Sequence, residues 1–445
     1  MRSLDFYRQF VNLRFTPAII ACLLLSLTNI YSQKAPTDQD RDRAHVMLQA
    51  IKGDLKKNYY DPNFHGIDLE ARFKTADENL KRATSLAQLF GVIAQALDDL
   101  NDSHTFFLPP GRYYRTEYGW QMQIVGDKCY VVAVKPGSDA EAKGLKPGDQ
   151  VYSIDGIAPV KENMWKIQYL YHALRPRPGM RVVVIRPDGS NQQLDVAAKI
   201  EQGKREQDLV SNPNDIAAMI RSAESRLQVS RYAEEGKDLF IWKMPDFEVD
   251  PEDAAKFIDK FQKHKALILD LRGNPGGYEE TLLRMLGRFF DHDVKLGELQ
   301  RRKEKKTLTA KTQGQPFAGR LVVLIDSGSG SAAELFARVI QLEKRGTIIG
   351  DVSSGAVMRS ILYDHQVGLD VIVPYAVSVT DADIVMTDGK SLEHMGVVPD
   401  EIKLPTASDL AAGRDPVLAY AASLVGVTLT PEKAGALFPI EWKKQ

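Results

Sequence analysis

The residues best suited to chemistry lie in one short segment, LVVLIDSGSGSAAE, which runs from Leu321 to Glu334. The apolar run Leu321 to Ile325 is typical of a parallel strand buried on both faces, and a turn of small residues follows it. Ser331 then opens an amphipathic helix, where the helix dipole and free N–H groups stabilise negative charge. This pattern indicates a nucleophilic serine, although Ser-x-x-Glu is also the capping-box signature, which would give Ser331 a purely structural role.

A second glycine-rich turn follows another apolar run. The stretch ALILDLRGNPGG, from Ala266 to Gly277, predicts a buried strand and then a turn of exposed N–H groups. Two units of this kind imply one parallel sheet with both turns at the edge where ligands bind. The turn at Gly276 and Gly277 suits an oxyanion hole. It could also hold a phosphate, but it lacks the Lys-Ser/Thr of a P-loop.

Candidates for a base and for its orienting group lie far from Ser331 in sequence. His104 follows Ser103 in an acidic turn flanked by aromatic residues, and it is the best base candidate among eight histidines. Glu393 and His394 both stand in the stretch LEHMGVVPD as candidate orienting groups, and the residue types alone do not choose between them. The sequence shows no metal-ligand cluster and no cofactor motif, so we expect neither a metal nor a cofactor.

The composition is that of an ordinary globular protein with room for two or three domains. Of 445 residues, 44% are hydrophobic and 26% charged, and the net charge of −1 gives no sign of a nucleic-acid partner. Two cysteines, Cys22 and Cys129, predict no internal disulfide framework. Basic residues precede the apolar run Pro17 to Leu27, so residues 1–32 are predicted to be a secretory signal peptide cleaved near Ser32. This predicts a periplasmic or extracellular protein, associated with a membrane only if the leader stays uncleaved.

A β-rich module follows the first hundred residues. Its stretch VVAVKPGSDAEAKGLKPGDQVYSIDG, residues 131–156, resembles a PDZ domain, and the resemblance covers residues 116–200. In that family a loop before a strand binds the C-terminal carboxylate of a peptide, which adds to the sheet as an extra strand. The resemblance implies substrate-binding residues at the start of this module: Tyr118, Gly119, Trp120 and Gln121.

Taken in order, the chain resembles the tail-specific and C-terminal processing proteases, the S41 family of serine peptidases. The resemblance implies an α+β multidomain fold with an N-terminal helical region (33–115) and the PDZ module (116–200). An α/β catalytic core of ClpP/crotonase-like type (201–425) and a C-terminal tail (426–445) would follow. The implied function is an exported serine endopeptidase that cleaves proteins or peptides and holds their C-termini in the PDZ domain. The implied protein uses no cofactor and leaves room for an oligomer.

The resemblance also assigns roles to the candidate residues. The better-known branch of the family has a lysine base where this sequence has Ala356, which cannot accept a proton. The tricorn-like branch instead uses a Ser-His pair and a glutamate, which correspond here to Ser103, His104 and Glu393. In that branch's scheme, His104 takes the proton of Ser331 and Glu393 acts on it through Ser103.

The remaining roles and the rival functions follow from the same resemblance. The oxyanion would be bound by the N–H of Ala332 and by one from the Gly276–Gly277 turn. Three alternatives remain: a lysine such as Lys390 acting as base, a non-catalytic homologue that binds peptides or other ligands, and an acyl-CoA enzyme. The last ranks lowest because the sequence shows no basic patch for the adenine phosphates.

Overall fold

The computed structural model describes residues 35–111, 114–202, 228–249 and 251–443. The predicted signal peptide, residues 1–32, lies outside these ranges. Within them, no helix combines the length and the apolar character that a membrane crossing requires. The cysteine that they include, Cys129, is a buried free thiol.

Three helices open the described chain, and each begins at a polar cap. The caps are Thr37, Asp68 and Ser85, whose side chains each accept a hydrogen bond from a backbone N–H in the first turn. The helices are α1 (Asp38–Asn58), α2 (Leu69–Arg82) and α3 (Leu86–Asp98), and the short strand β1 (Phe106–Leu108) follows them. Their apolar stripes meet in one core that includes the fully buried Leu48 and Ile51.

The β-rich module is a five-stranded antiparallel sheet with two short helices. Its elements are β2 (Tyr114–Glu117), β3 (Trp120–Val125), β4 (Lys128–Val134), α4 (Asp139–Ala142), β5 (Gln150–Ile154), α5 (Met164–Tyr169), β6 (Gly179–Ile185), β7 (Asn191–Ala197) and β8 (Lys199–Gln202). The strand order is β3-β4-β5-β6-β7, which leaves β3 at one edge. Strands β2 and β8 pair with each other outside this sheet. The predicted series of short strands separated by Gly, Pro and Asp turns is confirmed.

The rest of the described chain builds two further sheets. Its strands are β9 (Arg231–Glu235), β10 (Leu239–Lys243), β11 (Ala266–Asp270), β12 (Val294–Arg301), β13 (Lys305–Ala310), β14 (Arg320–Ile325), β15 (Thr347–Gly350), β16 (Arg359–Val367), β17 (Val373–Met386) and β18 (Glu401–Ile402). Its helices are α6 (Pro251–Phe261), α7 (Glu279–Leu286), α8 (Ala332–Leu342), α9 (Ala407–Ala411), α10 (Pro416–Leu424) and α11 (Pro431–Leu437).

The first of these sheets carries both glycine-rich turns. Its order is β18-β15-β14-β11-β10-β9, and every pairing is parallel except that of β9 with β10. Alternate residues of its strands pack against α6, α7 and α8 on one face and against α10 and α11 on the other. The predicted parallel sheet is therefore confirmed, and the turns after β11 and β14 lie side by side at its carboxyl edge.

The second sheet joins the N-terminal helices to the rest of the molecule. Its order is β1-β17-β12-β13, with β16 also paired to β17. Phe107 of β1 is fully buried and pairs with Val377, in the same core as α1 and α3. This pairing brings the turn between α3 and β1, which holds Ser103 and His104, onto the same body as the parallel sheet.

The end of the chain is less separate than the sequence suggests. Residues 426–445 were expected to form a tail, but they include α11, and Leu429 and Ala434 are buried against the parallel sheet. Alanine-rich helices can pack closely on a sheet because their side chains are small. Two residues of the described part of this segment, Leu429 and Ala434, therefore belong to the core.

Candidate active site

Ser331 lies between the turn that follows β14 and the first residue of α8. Its backbone has φ +50° and ψ −117°, a region that non-glycine residues rarely adopt. Two hydrogen bonds from its N–H hold this conformation, to the Ala356 carbonyl at 2.8 Å and to Glu334 Oε2 at 3.0 Å. Strained backbone of this kind persists where surrounding contacts fix it, and it is common at functional sites.

The Ser331 hydroxyl is not used to cap the helix. The N–H of Glu334 donates to the backbone carbonyl of Ser331 at 3.0 Å, and the Ser331 side chain forms no cap bond. Only one half of a capping box is therefore formed, the half in which the glutamate side chain accepts from the serine N–H. The hydroxyl stays free for another role.

Glu334 is a fully buried carboxylate that organises the segment beside Ser331. Its Oε1 accepts from the Ser353 hydroxyl at 2.6 Å and from the Gly355 N–H at 2.8 Å. Its Oε2 accepts from the Ala356 N–H at 3.0 Å and from the Ser354 hydroxyl at 3.1 Å. Burial raises the pKa of Glu334, and these donors oppose that shift. The sequence analysis gave this residue only the role of a helix-cap partner.

Ser103 connects His104 to Glu393. Its hydroxyl lies 2.7 Å from His104 Nδ1 and donates to Glu393 Oε2 at 2.9 Å, while its N–H donates to Glu393 Oε1 at 2.7 Å. Because the hydroxyl proton points to the carboxylate, the hydroxyl oxygen must accept from Nδ1–H of the imidazole. This assignment of the proton leaves Nε2 of His104 with a lone pair, as a general base requires.

Asp102 fixes the backbone of the same turn. This buried carboxylate accepts from the N–H groups of His104 at 3.0 Å and Thr105 at 2.7 Å. It also accepts from the hydroxyls of Thr380 at 2.6 Å and Tyr59 at 2.8 Å. Sequence reasoning missed this role, because Asp98, Asp99 and Asp102 look alike as a run of acidic residues.

Glu393 also links the His104 turn to the Ser331 side of the site. Its Oε2 accepts from the Val357 N–H at 2.9 Å, and Val357 follows Ala356, whose carbonyl receives the Ser331 N–H. Across the described ranges, no hydrogen bond joins His104 to the Ser331 hydroxyl. Catalytic hydrogen bonds are often long without substrate and tighten in the reacting complex.

The structure separates the roles of Glu393 and His394. The His394 side chain is 54% exposed, and its Nε2 lies 2.7 Å from the Asn101 carbonyl. Its N–H donates to the Gly355 carbonyl at 2.8 Å. His394 therefore joins two loops of the site, whereas Glu393 accepts hydrogen bonds from Ser103, the residue before His104.

The predicted oxyanion turn lies against Ser331. Gly276 has φ +104°, and a Cβ there would lie 2.6 Å from Ser331 Cβ and 2.8 Å from the Ala332 nitrogen. Such an approach is open only to glycine. The Gly276 N–H donates to Asn274 Oδ1 at 2.9 Å, whereas no described residue accepts from the N–H of Gly277 or Ala332. Among the described residues, the N–H groups of Gly277 and Ala332 are thus free donors beside Ser331.

Asn274 is a further residue that sequence reasoning missed. It is fully buried, its Nδ2 donates to the Met244 carbonyl at 3.0 Å, and its own carbonyl accepts from the Gly330 N–H at 2.9 Å. It therefore ties the oxyanion turn to the turn that carries Ser331. Its position inside RGNPGG was the available signal.

The four predicted substrate-binding residues lie at the start of edge strand β3. Gly119 has φ +74°, and the side chains of Tyr118, Trp120 and Gln121 are nearly buried. A narrow pocket beside β3 is lined by these three side chains together with others from β3, β5, α5, the turn after α5, and β6: Met122, Ile154, Ile167, Gln168, Tyr171, His172 and Met180. These predicted residues are thus brought together with each other, but not with Ser331.

The far end of β3 contacts the turn before Ser331. Gln123 Nε2 donates to Asp326 Oδ2 at 2.6 Å, and the Ser327 hydroxyl donates to the Ile124 carbonyl at 2.5 Å. Asp326 Oδ1 in turn accepts from the Gly273 N–H at 2.8 Å. The β-rich module therefore contacts the turn before Ser331, and Asp326 connects it to the turn that begins at Gly273.

Two lysines, Lys390 and Lys161, differ in how exposed they are and in which acidic groups lie near them. Lys390 is exposed in the turn after β17, where its N–H donates to Asp388 Oδ1 at 3.2 Å. Lys161 is half-buried within electrostatic reach of Glu334 and Asp351, and burial lowers the pKa of its amine. In the residues described here, no group of three or more His, Cys, Asp or Glu side chains could hold a metal ion.

Sequence comparisons show that this chain is similar to known peptidases. Residues 240–402 match the model of peptidase family S41, a span that contains Ser331, Glu393 and the oxyanion turn. The carboxy-terminal processing protease CtpA of Bacillus subtilis is 23% identical over 376 residues, which cover 80% of this chain and 72% of that protein. The carboxyl-terminal-processing protease of Picosynechococcus sp. is 22% identical over 415 residues, covering 86% of this chain and 88% of that protein. The tail-specific protease of Haemophilus influenzae is 24% identical over 325 residues, and the match spans 69% of this chain but 44% of that protein.

Solved structures agree at the level of the fold. The crystal structure of mature CPAF aligns with a TM-score of 0.61 at 16% identity, covering 84% of this chain and 95% of that one. The mixed α/β multidomain fold is therefore shared with known protease structures. From the family match and the processing-protease relatives, the protein is a serine-type peptidase related to the S41 C-terminal processing proteases.

Proposed function

We propose that this peptidase is an exported endopeptidase that uses Ser331 as nucleophile and His104 as base. The observation that carries the proposal is the path of hydrogen bonds from His104 through Ser103 and Glu393 to the segment that holds the Ser331 N–H. Ala356 at the position of the lysine base favours the tricorn-like arrangement over a Ser–Lys dyad.

The mechanism follows from the geometry of these groups. Nε2 of His104 accepts the Ser331 hydroxyl proton as Oγ attacks the substrate carbonyl, and the imidazolium is stabilised through Ser103 by Glu393. The N–H groups of Gly277 and Ala332 bind the developing oxyanion. The imidazolium then returns its proton to the leaving amine, and water releases the acyl group by the same steps in reverse.

The β-rich module is proposed to hold the substrate. We assign residues 116–200 to a PDZ domain in which the loop Tyr118–Gly119 and strand β3 bind the C-terminal end of a protein or peptide. The open edge of β3 and the pocket beside it support this assignment. Residues 33–115 and 201–425 are assigned to the helical region and to a ClpP/crotonase-like core.

Labelling by a fluorophosphonate tests the catalytic part. We expect labelling of the wild type and none of Ser331→Ala or His104→Ala. Lys390→Met tests the rival base suggested by the sequence, and we expect this variant to be labelled because the Lys390 side chain is exposed. Labelling that survives in His104→Ala but disappears in Lys161→Met would move the base to Lys161.

The same labelling experiment also tests a second candidate function, peptide binding without catalysis. A folded wild type that no activated probe labels, with or without C-terminal peptides, would indicate a peptide-binding homologue without catalysis. The free Ser331 hydroxyl and the unused N–H groups beside it favour the peptidase.

A further inference from the structure

Strand β3 keeps one edge open along most of its length. The Gly119 carbonyl accepts from the Lys135 N–H, so by alternation the backbone groups of Trp120, Met122 and Ile124 point away from β4. The bulge in this pairing adds its extra residue to β4, so the alternation of β3 is unbroken. No described residue pairs with the backbone of Trp120 or Met122. An extended peptide can therefore add along these two residues.

The open edge ends at the turn that leads to Ser331. The Ile124 carbonyl accepts from the Ser327 hydroxyl, and the neighbouring Gln123 is held by Asp326. An added strand can pair with Trp120 and Met122, but it meets Ser327 where it would pair with Ile124. The occupied carbonyl forces the peptide to leave β3 beside this turn, four residues before Ser331.

The groove beside the open edge offers unused polar atoms. Trp120 Nε1 and His172 Nδ1 are buried there without a hydrogen-bond partner. Buried polar groups are normally paired, so these atoms are suited to a ligand. Together with the free backbone edge, they favour an extended peptide segment as the occupant.

We infer that β3 sets the distance between the C-terminus of a substrate and the peptide bond that is cleaved. This inference rests on the proposed function, with the carboxylate at the Tyr118–Gly119 loop and the preceding residues running toward Ile124. The five steps from Gly119 to Ile124 span about 17 Å at about 3.3 Å per residue.

The remaining path, from Ser327 to Ser331, spans at most about 14 Å. The scissile bond therefore lies about five to about nine residues from the C-terminus. The C-terminal tail of a substrate must therefore have at least this length to reach from the Tyr118–Gly119 loop to Ser331.

A ladder of peptides tests the distance with the full chain. A sequence that the enzyme cuts in an unfolded protein, mapped by mass spectrometry, is followed by neutral tails of about two to about twelve residues. Each peptide is made with a free carboxylate and as an amide. We expect kcat/KM of the free acids to rise at least about tenfold once the tail reaches about five to about nine residues, and the amides to show no rise.

The variant Ser327→Ala tests whether the Ser327 hydroxyl sets the position at which the added peptide strand leaves β3. Without the Ser327 hydroxyl, the Ile124 carbonyl is free to pair, and we expect the threshold to move outward by about two residues. Equal kcat/KM for all tail lengths, or for acids and amides, would overturn the inference. Fluorophosphonate labelling of Ser331 would be unaffected, so the proposed catalytic roles of Ser331 and His104 would stand, whereas the proposed binding of C-termini by β3 would fall with the inference.

A cross-linking map decides the inference without catalysis. Free-acid peptides with a photoreactive phenylalanine at successive positions are bound to the full-length Ser331→Ala variant. We expect cross-links to residues 327–332 only from positions about five to about nine from the C-terminus. Cross-links to this segment from every position, or from none, would refute the inferred distance between the C-terminus and the cleaved bond, even if the wild type cleaved no peptide at all.

Discussion

Ser103 donates twice to the Glu393 carboxylate, through its hydroxyl at 2.9 Å and its N–H at 2.7 Å, across 290 positions of sequence. The contact holds the turn before β1 against the loop after β17. It also fixes which way the Ser103 hydroxyl points, and thereby which nitrogen of His104 carries its proton. The orientation of the proposed base therefore depends on a carboxylate that does not touch it.

The first prediction concerns this indirect contact. Ser103→Ala removes the acceptor of the His104 Nδ1–H, and we expect kcat to fall by about 10²-fold or more, since triads depend on the correct tautomer. The kcat of Glu393→Gln should fall at least as far, because the NH₂ group of the new amide must face another donor, either the Ser103 N–H or the Val357 N–H. The rate of single-turnover acylation, measured as a function of pH in both variants and the wild type, checks this prediction.

His394→Asn is the matched control for these two variants. Asparagine tolerates the φ of +62° found at this position, and the substitution removes an exposed ring that does not contact Ser103. We expect a loss of a few-fold at most. A loss as large as that of Glu393→Gln would show that the whole loop, and not the carboxylate, is what matters.

The second prediction concerns the close approach of Gly276 to the nucleophile. In Gly276→Ala the new methyl group would lie 2.6 Å from Ser331 Cβ, so the two turns must separate. Because a misplacement of about 1 Å can cost about 10²-fold, we expect kcat to fall at least that far. Titration of active sites with a fluorophosphonate, alongside thermal unfolding, separates this loss from misfolding.

Gly273→Ala provides the control within the same turn. Gly273 has φ +69°, but no heavy atom lies within 4 Å of a Cβ built there. The substitution should cost about 1–2 kcal/mol of stability from backbone strain and leave kcat nearly unchanged. If Gly273→Ala lost as much activity as Gly276→Ala, strain in the turn would explain the result and the contact with Ser331 would not.

Local patterns in the sequence were sufficient to predict the parts of the site that are contiguous. The apolar run before Ser331 is five residues long, Leu321 to Ile325, and the run before Gly276 is four, Ala266 to Leu269. Each leads to a glycine turn, so both strand-turn-helix units could be predicted. The parallel strands that resulted, β11 and β14, are fully paired with each other. His104 and Glu393 were candidates from the residues alone, but their roles, and the choice of Glu393 over His394, came from the family resemblance, because the pairing of Ser103 with Glu393 joins residues 290 positions apart.

Local sequence patterns did not predict the β1-β17-β12-β13 sheet or the burial of two carboxylates. Strand β17 has 14 residues, and its burial pattern changes along its length because different partners cover its two ends. No single period marks such a strand. Asp102 and Glu334 likewise carry no local sign of burial, since a carboxylate becomes a core residue only where tertiary structure supplies enough donors.

The third prediction concerns Glu334, the buried carboxylate with five donors around it. In Glu334→Gln either orientation of the amide turns its NH₂ toward a backbone N–H, that of Gly355 on one side or those of Ser331 and Ala356 on the other. We expect a loss of about 2–3 kcal/mol of stability, from one lost charged hydrogen bond and one unsatisfied donor. We also expect a fall in kcat of about 10²-fold or more, because the Ser331 backbone is no longer held.

Denaturant unfolding and active-site titration would measure the two effects of Glu334→Gln. The pKa of Glu334 is raised by burial, so its folded form binds a proton more readily than its unfolded form. Its contribution to the free energy of unfolding is therefore present at low pH and falls as pH rises through the folded pKa. A Gln variant as stable and as active as the wild type would exclude Glu334 as the residue that holds this segment.

The last prediction concerns the pH dependence that His172 gives the β-rich module. Burial lowers the pKa of His172 to about 4, and its Nδ1 has no hydrogen-bond partner. The Tyr118 ring packs edge-on against it at 5.6 Å between centroids and supplies no charge at acidic pH. Between the unfolded pKa of about 6.5 and the folded value, the unfolded chain binds the extra proton.

The stability that comes from a neutral His172 is therefore fully present above about pH 6.5 and is lost as pH falls toward the folded pKa. From pH 7 to pH 5 we expect the free energy of unfolding to fall by about 1–2 kcal/mol more in the wild type than in His172→Gln, which cannot titrate. Urea unfolding followed by tryptophan fluorescence at both pH values measures the difference.

His292→Gln, at an exposed site, should leave the wild-type pH dependence unchanged. Equal pH dependence in His172→Gln and the wild type would show that His172 is protonated in the folded protein as easily as in the unfolded one.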